Sequence, residues 1–208
     1  MENIDCDSKP VPDVILKPES TESFGFVSFD IENKLKPYEI ADFVSEHKIT
    51  ENALFIGAFG YTAAKFKCTN ESFFTVAYHG RFDKRLNSTV GLFVQTLPMC
   101  CAFNESTTTD DLLKAAYNDY YTLKGNHSIS LGELASEYGV KMNLSFVFQS
   151  DILSGIETEN GTVEIELLDK GTAVTDIEVM LLKTKSGYRI NCHYNSSDYT
   201  EDFILSFL

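Results

Sequence analysis

The stretch from Leu54 to Phe66 constrains the fold most, because a helix built from it has almost no polar face. Thr50 is a good N-cap, and Ile49 and Leu54 stand at the two positions of a hydrophobic staple, so the spacing predicts a helix over residues 51–66. Leu54, Phe55, Ile56, Ala58, Phe59, Tyr61, Ala63, Ala64 and Phe66 run all round its axis, and such a helix belongs at the centre of a fold, covered on most sides. Gly57 and Gly60 weaken the isolated helix by about 1 kcal/mol each but let a neighbour approach its backbone. With 208 residues the chain can supply that cover from one domain, or two at most.

Alternation of Val27, Phe29 and Ile31 with Ser28 and Asp30 predicts a strand over residues 24–31. Pro37 opens a short helix over 38–46. Strands are expected at 73–78 and 90–97, separated by a charged turn at 81–87. Thr107 to Thr109 followed by Asp110 and Asp111 signals a long helix with carboxylates in its first turn, and Leu113, Ala116, Tyr117 and Tyr120 form its buried stripe. A shorter helix is predicted over 131–138 and a strand over 143–149.

The last third reads as a β-meander. Val163, Ile165 and Leu167 alternate with acids, 177–183 is a second strand, and Tyr188, Ile190, Cys192 and Tyr194 alternate in a third, with turns at Asn160-Gly161 and Ser186-Gly187. Residues 198–208 form a final helix carrying Phe203, Ile204 and Phe207 on one face. Pro10, Pro12 and Pro18 among charges make residues 1–22 a linker-like lead-in, leaving 23–208 as one domain. The expected architecture is α/β, a two-layer sandwich in which a mixed β-sheet of five or six strands is covered on one face by the helices near Glu51 and Asp110.

Lys and Arg number 17 against 31 Asp and Glu, for a net charge of -14. Cations scattered over so acidic a chain argue against a nucleic-acid or anionic membrane partner. No segment reaches the roughly 20 apolar residues of a membrane span. The acidic start lacks the order of a secretory signal. Cys6, Cys68, Cys100, Cys101 and Cys192 show no CxxC or zinc-type spacing, so reduced thiols, a cytoplasmic setting and no metal site are expected. There is no GxSxG elbow and no P-loop, and Asp110-Asp111 read as helix-start residues.

Tyr78-His79-Gly80-Arg81 followed by Val90-Gly91-Leu92-Phe93-Val94-Gln95-Thr96-Leu97-Pro98 resembles the condensation domains of nonribosomal peptide synthetases, where a GR after a strand precedes VGxFVNTLP. The next helix, the Phe146-Val147-Phe148-Gln149 strand and the closing Leu181, Gly187, Tyr194-Asn195 pattern fall in the same order. The resemblance covers residues 24–208 and implies the C-terminal lobe of a two-lobed fold similar to chloramphenicol acetyltransferase. Two departures bear on substrate handling more than on fold. Gln95 stands where the family usually has Asn, and the Pro-containing acidic motif after the third helix is reduced to Asn126-His127-Ser128-Ile129-Ser130.

Catalysis in that family uses HHxxxDG in the N-terminal lobe, whose second His acts on the acceptor amine as a base or by positioning and charge stabilisation. This chain has no adjacent His pair. His79 and Asp83 have HxxxD spacing, but Lys84 replaces the Gly; His193 to Asp198 is one residue too long and ends in Tyr199. Strand alternation makes His193 a partly solvated sheet histidine, while His47 and His127 have no partner at motif spacing. Cys100-Cys101 read as paired buried thiols.

The resemblance thus implies no catalytic residue here. It implies instead that Gly80, Arg81, Gly91, Gln95 and Thr96 support a site or a lobe interface. Arg81 either pairs with the Asp of the N-terminal lobe's catalytic motif or bridges a local carboxylate such as Asp83. The implied partners are that N-terminal lobe and peptidyl or acyl carrier proteins bearing phosphopantetheine, with no cofactor bound by the chain itself. The implied reaction joins a carrier-bound thioester donor to an amine acceptor as an amide. A homo-oligomer through exposed lobe-boundary surface is also expected. Two other readings stay open: a degenerate docking module for carrier proteins or tailoring enzymes, and a freestanding trimeric acetyltransferase.

Overall fold

The structure, a computed structural model, describes residues 24–31, 35–81, 83–125, 131–139, 143–150, 156–159, 161–163 and 175–208. Six strands form one mixed sheet in the order β1-β8-β7-β4-β2-β3. They are β1 (Phe24–Ile31), β2 (Glu71–Tyr78), β3 (Gln95–Ala102), β4 (Leu144–Gln149), β7 (Ile177–Lys183) and β8 (Tyr188–Asn195). The central β2, β4 and β7 run parallel, and β1, β8 and β3 are antiparallel to their neighbours. A separate hairpin pairs β5 (Ile156–Thr158) with β6 (Gly161–Val163). The helices are α1 (Pro37–His47), α2 (Glu51–Phe66), α3 (Thr109–Gly125), α4 (Leu131–Tyr138) and α5 (Glu201–Phe207).

Helix α2 begins where the cap predicts, with the Ala53 N–H donating to the Thr50 hydroxyl at 3.2 Å. Phe55, Ile56, Phe59 and Ala63 are buried with Phe74 and Val76 of β2 and Phe146 of β4. The Phe59 ring lies 4.8 Å from Phe146 and 5.2 Å from Phe74. Burying side chains of this size contributes roughly 1.5–3 kcal/mol each. The two glycines set the spacing. A Cβ on Gly57 would stand 2.8 Å from Leu113 of α3, and one on Gly60 would stand 2.6 Å from the Cβ of Cys101 in β3. The Ser72 hydroxyl donates to the Gly60 carbonyl at 2.7 Å, a direct tie from strand to helix backbone.

Helix α3 packs on α2 and β3 through the expected stripe, with Leu113 and Ala116 buried. Helix α5 begins at Thr200, whose hydroxyl accepts from the Phe203 N–H at 3.3 Å. It lies beside α2, with the Phe207 ring 5.2 Å from Phe66 and 5.8 Å from Phe59. The chain is thus the expected α/β sandwich, a mixed six-stranded sheet packed against helices. None of its helices is long and apolar enough to cross a membrane, among the described residues.

Two elements differ from the sequence reading. The third strand runs over Gln95–Ala102, not 90–97, because Tyr78, the last residue of β2, pairs with Gln95 and the chain then turns at Gly80, whose φ is +69°. Nothing of β2 is left for 90–94 to pair with. The last third is not a meander of three strands. Gly161–Val163 pairs with Ile156–Thr158, and β7 lies between β8 and the parallel β4, whose Leu144–Gln149 edge occupies the place of the missing neighbour. The Ser186-Gly187 turn forms as expected, Thr184 N–H donating to the Gly187 carbonyl at 2.9 Å. Ile165, Leu167, the lead-in over 1–22 and the segment Asn126 to Ser130 lie outside the described residues.

The close approach at Gly60 predicts that Gly60→Ala lowers stability by about 1–3 kcal/mol, although alanine is the better helix former. Gly125→Ala, where a Cβ meets nothing within 4 Å, is the control. Urea denaturation should show a lower midpoint for the first variant only. Equal midpoints would refute the packing argument.

Candidate functional site

The element singled out in the sequence is a strap of chain, residues 79–94, that leaves β2 and returns as β3. Gly80 is essential to its closure. Its φ lies in the left-handed region, and a Cβ there would sit 1.7 Å from the carbonyl oxygen of Phe93, so the two backbones touch. Arg81 then staples the strap from within. Its guanidinium donates to the carbonyls of Leu86, of Thr89 at 3.0 Å and of Gly91 at 3.4 Å, and it stands over the Phe93 ring, 4.6 Å from the centroid. Five donors in a planar fork suit three carbonyls in an arc, a task lysine performs poorly.

The local bridge to Asp83 does not form. The Asp83 carboxylate is taken by Arg85, from the side-chain Nε at 3.0 Å and the backbone N–H at 2.8 Å, which holds its pKa below the usual carboxylate range. Arg81 itself has no carboxylate within ion-pair distance among the described residues. One outcome of the stapling is exposure. Val90, Leu92 and Val94 are 100 %, 90 % and 58 % exposed, flanking or following the carbonyls that Arg81 holds.

Where the strap rejoins the sheet, Thr96 is exposed and Gln95 is half-buried opposite Tyr78. Gln95 Oε1 and Tyr78 Oη are buried atoms that find no hydrogen bond among the described residues. An unsatisfied buried polar atom costs about 1–3 kcal/mol, so two adjacent ones mark a place short of partners. The Gly80, Arg81, Gly91, Gln95 and Thr96 predicted from sequence are therefore brought together on one strap and its strand junction.

His79, also on this strap, is set against base chemistry. Its Nδ1 accepts the Arg81 backbone N–H at 3.0 Å, which leaves the proton of the neutral ring on Nε2. Burial, then the neighbouring Lys124 and Arg81 cations, push its pKa below the ordinary value. Asp83 is committed to Arg85, so the HxxxD spacing makes no dyad. His193 is not the partly solvated residue expected: it is 8 % exposed, its ring 4.7 Å from Phe26 of the adjacent strand. Both faces of β8 are covered there, which alternation alone does not reveal. His47 bonds Asp110 at 2.9 Å across α1 and α3, and His127 lies outside the described residues.

The two buried thiols are equally unsuited to attack. Burial pushes Cys101 up to about 11 and Cys192 up to about 12, far from the thiolate range at neutral pH. Cys100, next to Cys101 on β3, is half-buried and not the buried thiol expected, because successive strand residues face opposite sides of the sheet. A polar cluster that sequence reasoning missed sits at the start of α2, where the Glu51 carboxylate accepts from Lys183 Nζ at 2.8 Å and from the Tyr188 hydroxyl. Glu51 is more than 130 residues in sequence from both of its partners, and no local pattern announces them. It ties α2 to the ends of β7 and β8. Among the described residues no group of three His, Cys, Asp or Glu could hold a metal ion.

The geometry can be set beside known proteins. The fold matches one part of a holo four-domain nonribosomal peptide synthetase bound to AMP and glycine, with a TM-score of 0.79 at 12 % identity, covering 96 % of this chain and 17 % of that one. It matches the condensation domain of the Monacolin K polyketide synthase with a TM-score of 0.72 at 15 % identity, covering 96 % of this chain and 51 % of that one. The X-domain from teicoplanin biosynthesis, solved in complex with OxyB, gives 0.76 at 11 % identity, covering 99 % and 47 %. The chain therefore spans about half the length of the last two, and less of the first. No curated protein sequence matches it. The sequence does match the condensation-domain family over residues 9–208, nearly its whole length, and the chain belongs to that family.

Proposed function

We propose that this chain is the C-terminal lobe of a condensation domain, which joins a carrier-bound thioester donor to an amine acceptor as an amide, and that it supports this chemistry without performing it. The observation that carries the reading is the strap: three apolar side chains held out in water on a backbone fixed by Arg81 and Gly80. Rigid, exposed apolar groups mark an interaction surface rather than a loose loop. We assign this surface to the N-terminal lobe, which would bring the HHxxxDG motif that this sequence lacks.

In that assembly Arg81 acts as a positioning residue. It shapes the strap, at whose junction with the sheet the buried Gln95 and Tyr78 oxygens have no hydrogen-bond partner among the described residues. Carrier proteins present the substrates on phosphopantetheine, which belongs to them and not to this chain. The charge of -14 means that docking of acidic carriers cannot rest on bulk attraction. A second reading, a degenerate docking module, is favoured by Gln95 standing in place of the family's Asn with its carbonyl oxygen unsatisfied.

Two outcomes follow. The purified chain, given carrier-bound donor and acceptor, should form no amide by mass spectrometry, while adding a separately expressed N-terminal lobe with an intact His pair should restore formation. Amide from the chain alone, abolished by His79→Ala, contradicts the reading; a lobe pair that binds yet stays inactive favours docking. For the staple, Arg81→Lys should raise hydrogen exchange of the amides at 86–93 at least tenfold and leave β2 unchanged. Unchanged exchange in the strap would remove Arg81 from its role.

A further inference from the structure

The face of α2 that the fold leaves uncovered carries Leu54, Ala58, Tyr61 and Lys65, spaced as one helical stripe. The stripe floors a cavity of about 480 Å³ whose walls come from Phe43 of α1 and from the connection into α3 and its first turns. That volume lies in the range of small-molecule sites. The walls are mainly apolar, and among the described residues lining it Lys65 is the only charged one.

Lys65 is held in place by aromatic rings rather than by an acid. Its Nζ stands 4.6 Å from the Phe103 ring centroid and 5.5 Å from that of Tyr61, and the two rings are 4.9 Å apart. Its hydrogen bond is a long one, 3.4 Å to the Asn70 side chain. No carboxylate among the described residues is within ion-pair distance of it. Several polar groups of the lining are already engaged: Asn104 Oδ1 accepts from the Ser106 N–H and the Thr107 hydroxyl, and the Thr108 hydroxyl donates to Asp111 at 2.6 Å. On a chain of net charge -14, a lining ammonium with no ion-pair partner among the described residues is a specific feature.

We propose that this cavity binds a small amphipathic carboxylate, an aliphatic or aromatic acid whose apolar body lies along Leu54, Ala58 and Leu113 and whose carboxylate pairs with Lys65. The site lies on the outer side of α2, separate from the strap, and does not depend on the function proposed above. The ammonium over two ring faces gains cation–π attraction, and beyond its bond to Asn70 it has further N–H donors to offer an anion. An ion pair this exposed adds a factor of a few in affinity, and the apolar contact supplies the rest.

Isothermal titration of the whole chain with octanoate and with octanol tests this. Octanoate should bind with a 1:1 stoichiometry. Lys65→Met should weaken octanoate about threefold to fivefold and leave octanol unchanged, and Ala58→Phe, introduced at an exposed position, should abolish both. Added salt should weaken octanoate alone. Circular dichroism verifies that each variant is folded; a variant that is unfolded is replaced by Tyr61→Ala, which should weaken both ligands. Absence of octanoate binding to the folded wild-type chain overturns the proposal. So does binding insensitive to Ala58→Phe, or a Lys65→Met effect equal for octanoate and octanol.

Discussion

Everything in this molecule is arranged around the approach of α2 to the sheet. The helix has no polar side to spare, and Gly57 and Gly60 let it lie against Leu113 and Cys101 at distances that any larger residue would forbid. That contact fixes where α3 runs, since α3 packs on α2 as well as on β3. It also fixes the end of β2, because Phe74 and Val76 are held beneath α2. The Glu51 cluster anchors the other end of the helix to β7 and β8. With β2 so placed, its last residue, Tyr78, sets the point from which the strap departs.

The strap turns that rigidity into a surface. Gly80 allows the chain to fold back on Phe93, and one guanidinium closes the loop by collecting backbone carbonyls. Apolar residues that a free loop would bury are thereby kept in solvent, and two buried oxygens beside them lack partners within the described chain. Both make sense for a chain that spans about half the length of condensation-domain structures and carries no catalytic histidine pair.

Much of this was legible in the residues. The cap at Thr50, the stripe on α3, the turn at Ser186-Gly187 and the family motifs from Gly80 to Pro98 are local signals, and local signals survive folding. The misses are nonlocal. Val90 to Val94 alternate like a strand, yet β2 has no residue left to pair with them. The alternation around Val163 predicts a meander strand, but β4, distant in sequence, takes the place beside β7. Alternation predicts a partly solvated His193 only if β8 has a solvated second face, which it does not. For Arg81 the local bridge to Asp83 gives way to the carbonyls of Leu86, Thr89 and Gly91, a choice that depends on how the strap curls.

The account rests on the strap being the surface that meets the catalytic half of the domain. Its most direct test is site-specific photo-crosslinking in a mixture of this chain with a histidine-bearing N-terminal lobe. A benzophenone side chain at position 92, on the strap, is compared with one at position 138, which is 61 % exposed on α4. Capture of the N-terminal lobe from position 92 and not from position 138 is the predicted result. No capture from 92, or equal capture from both, would contradict it.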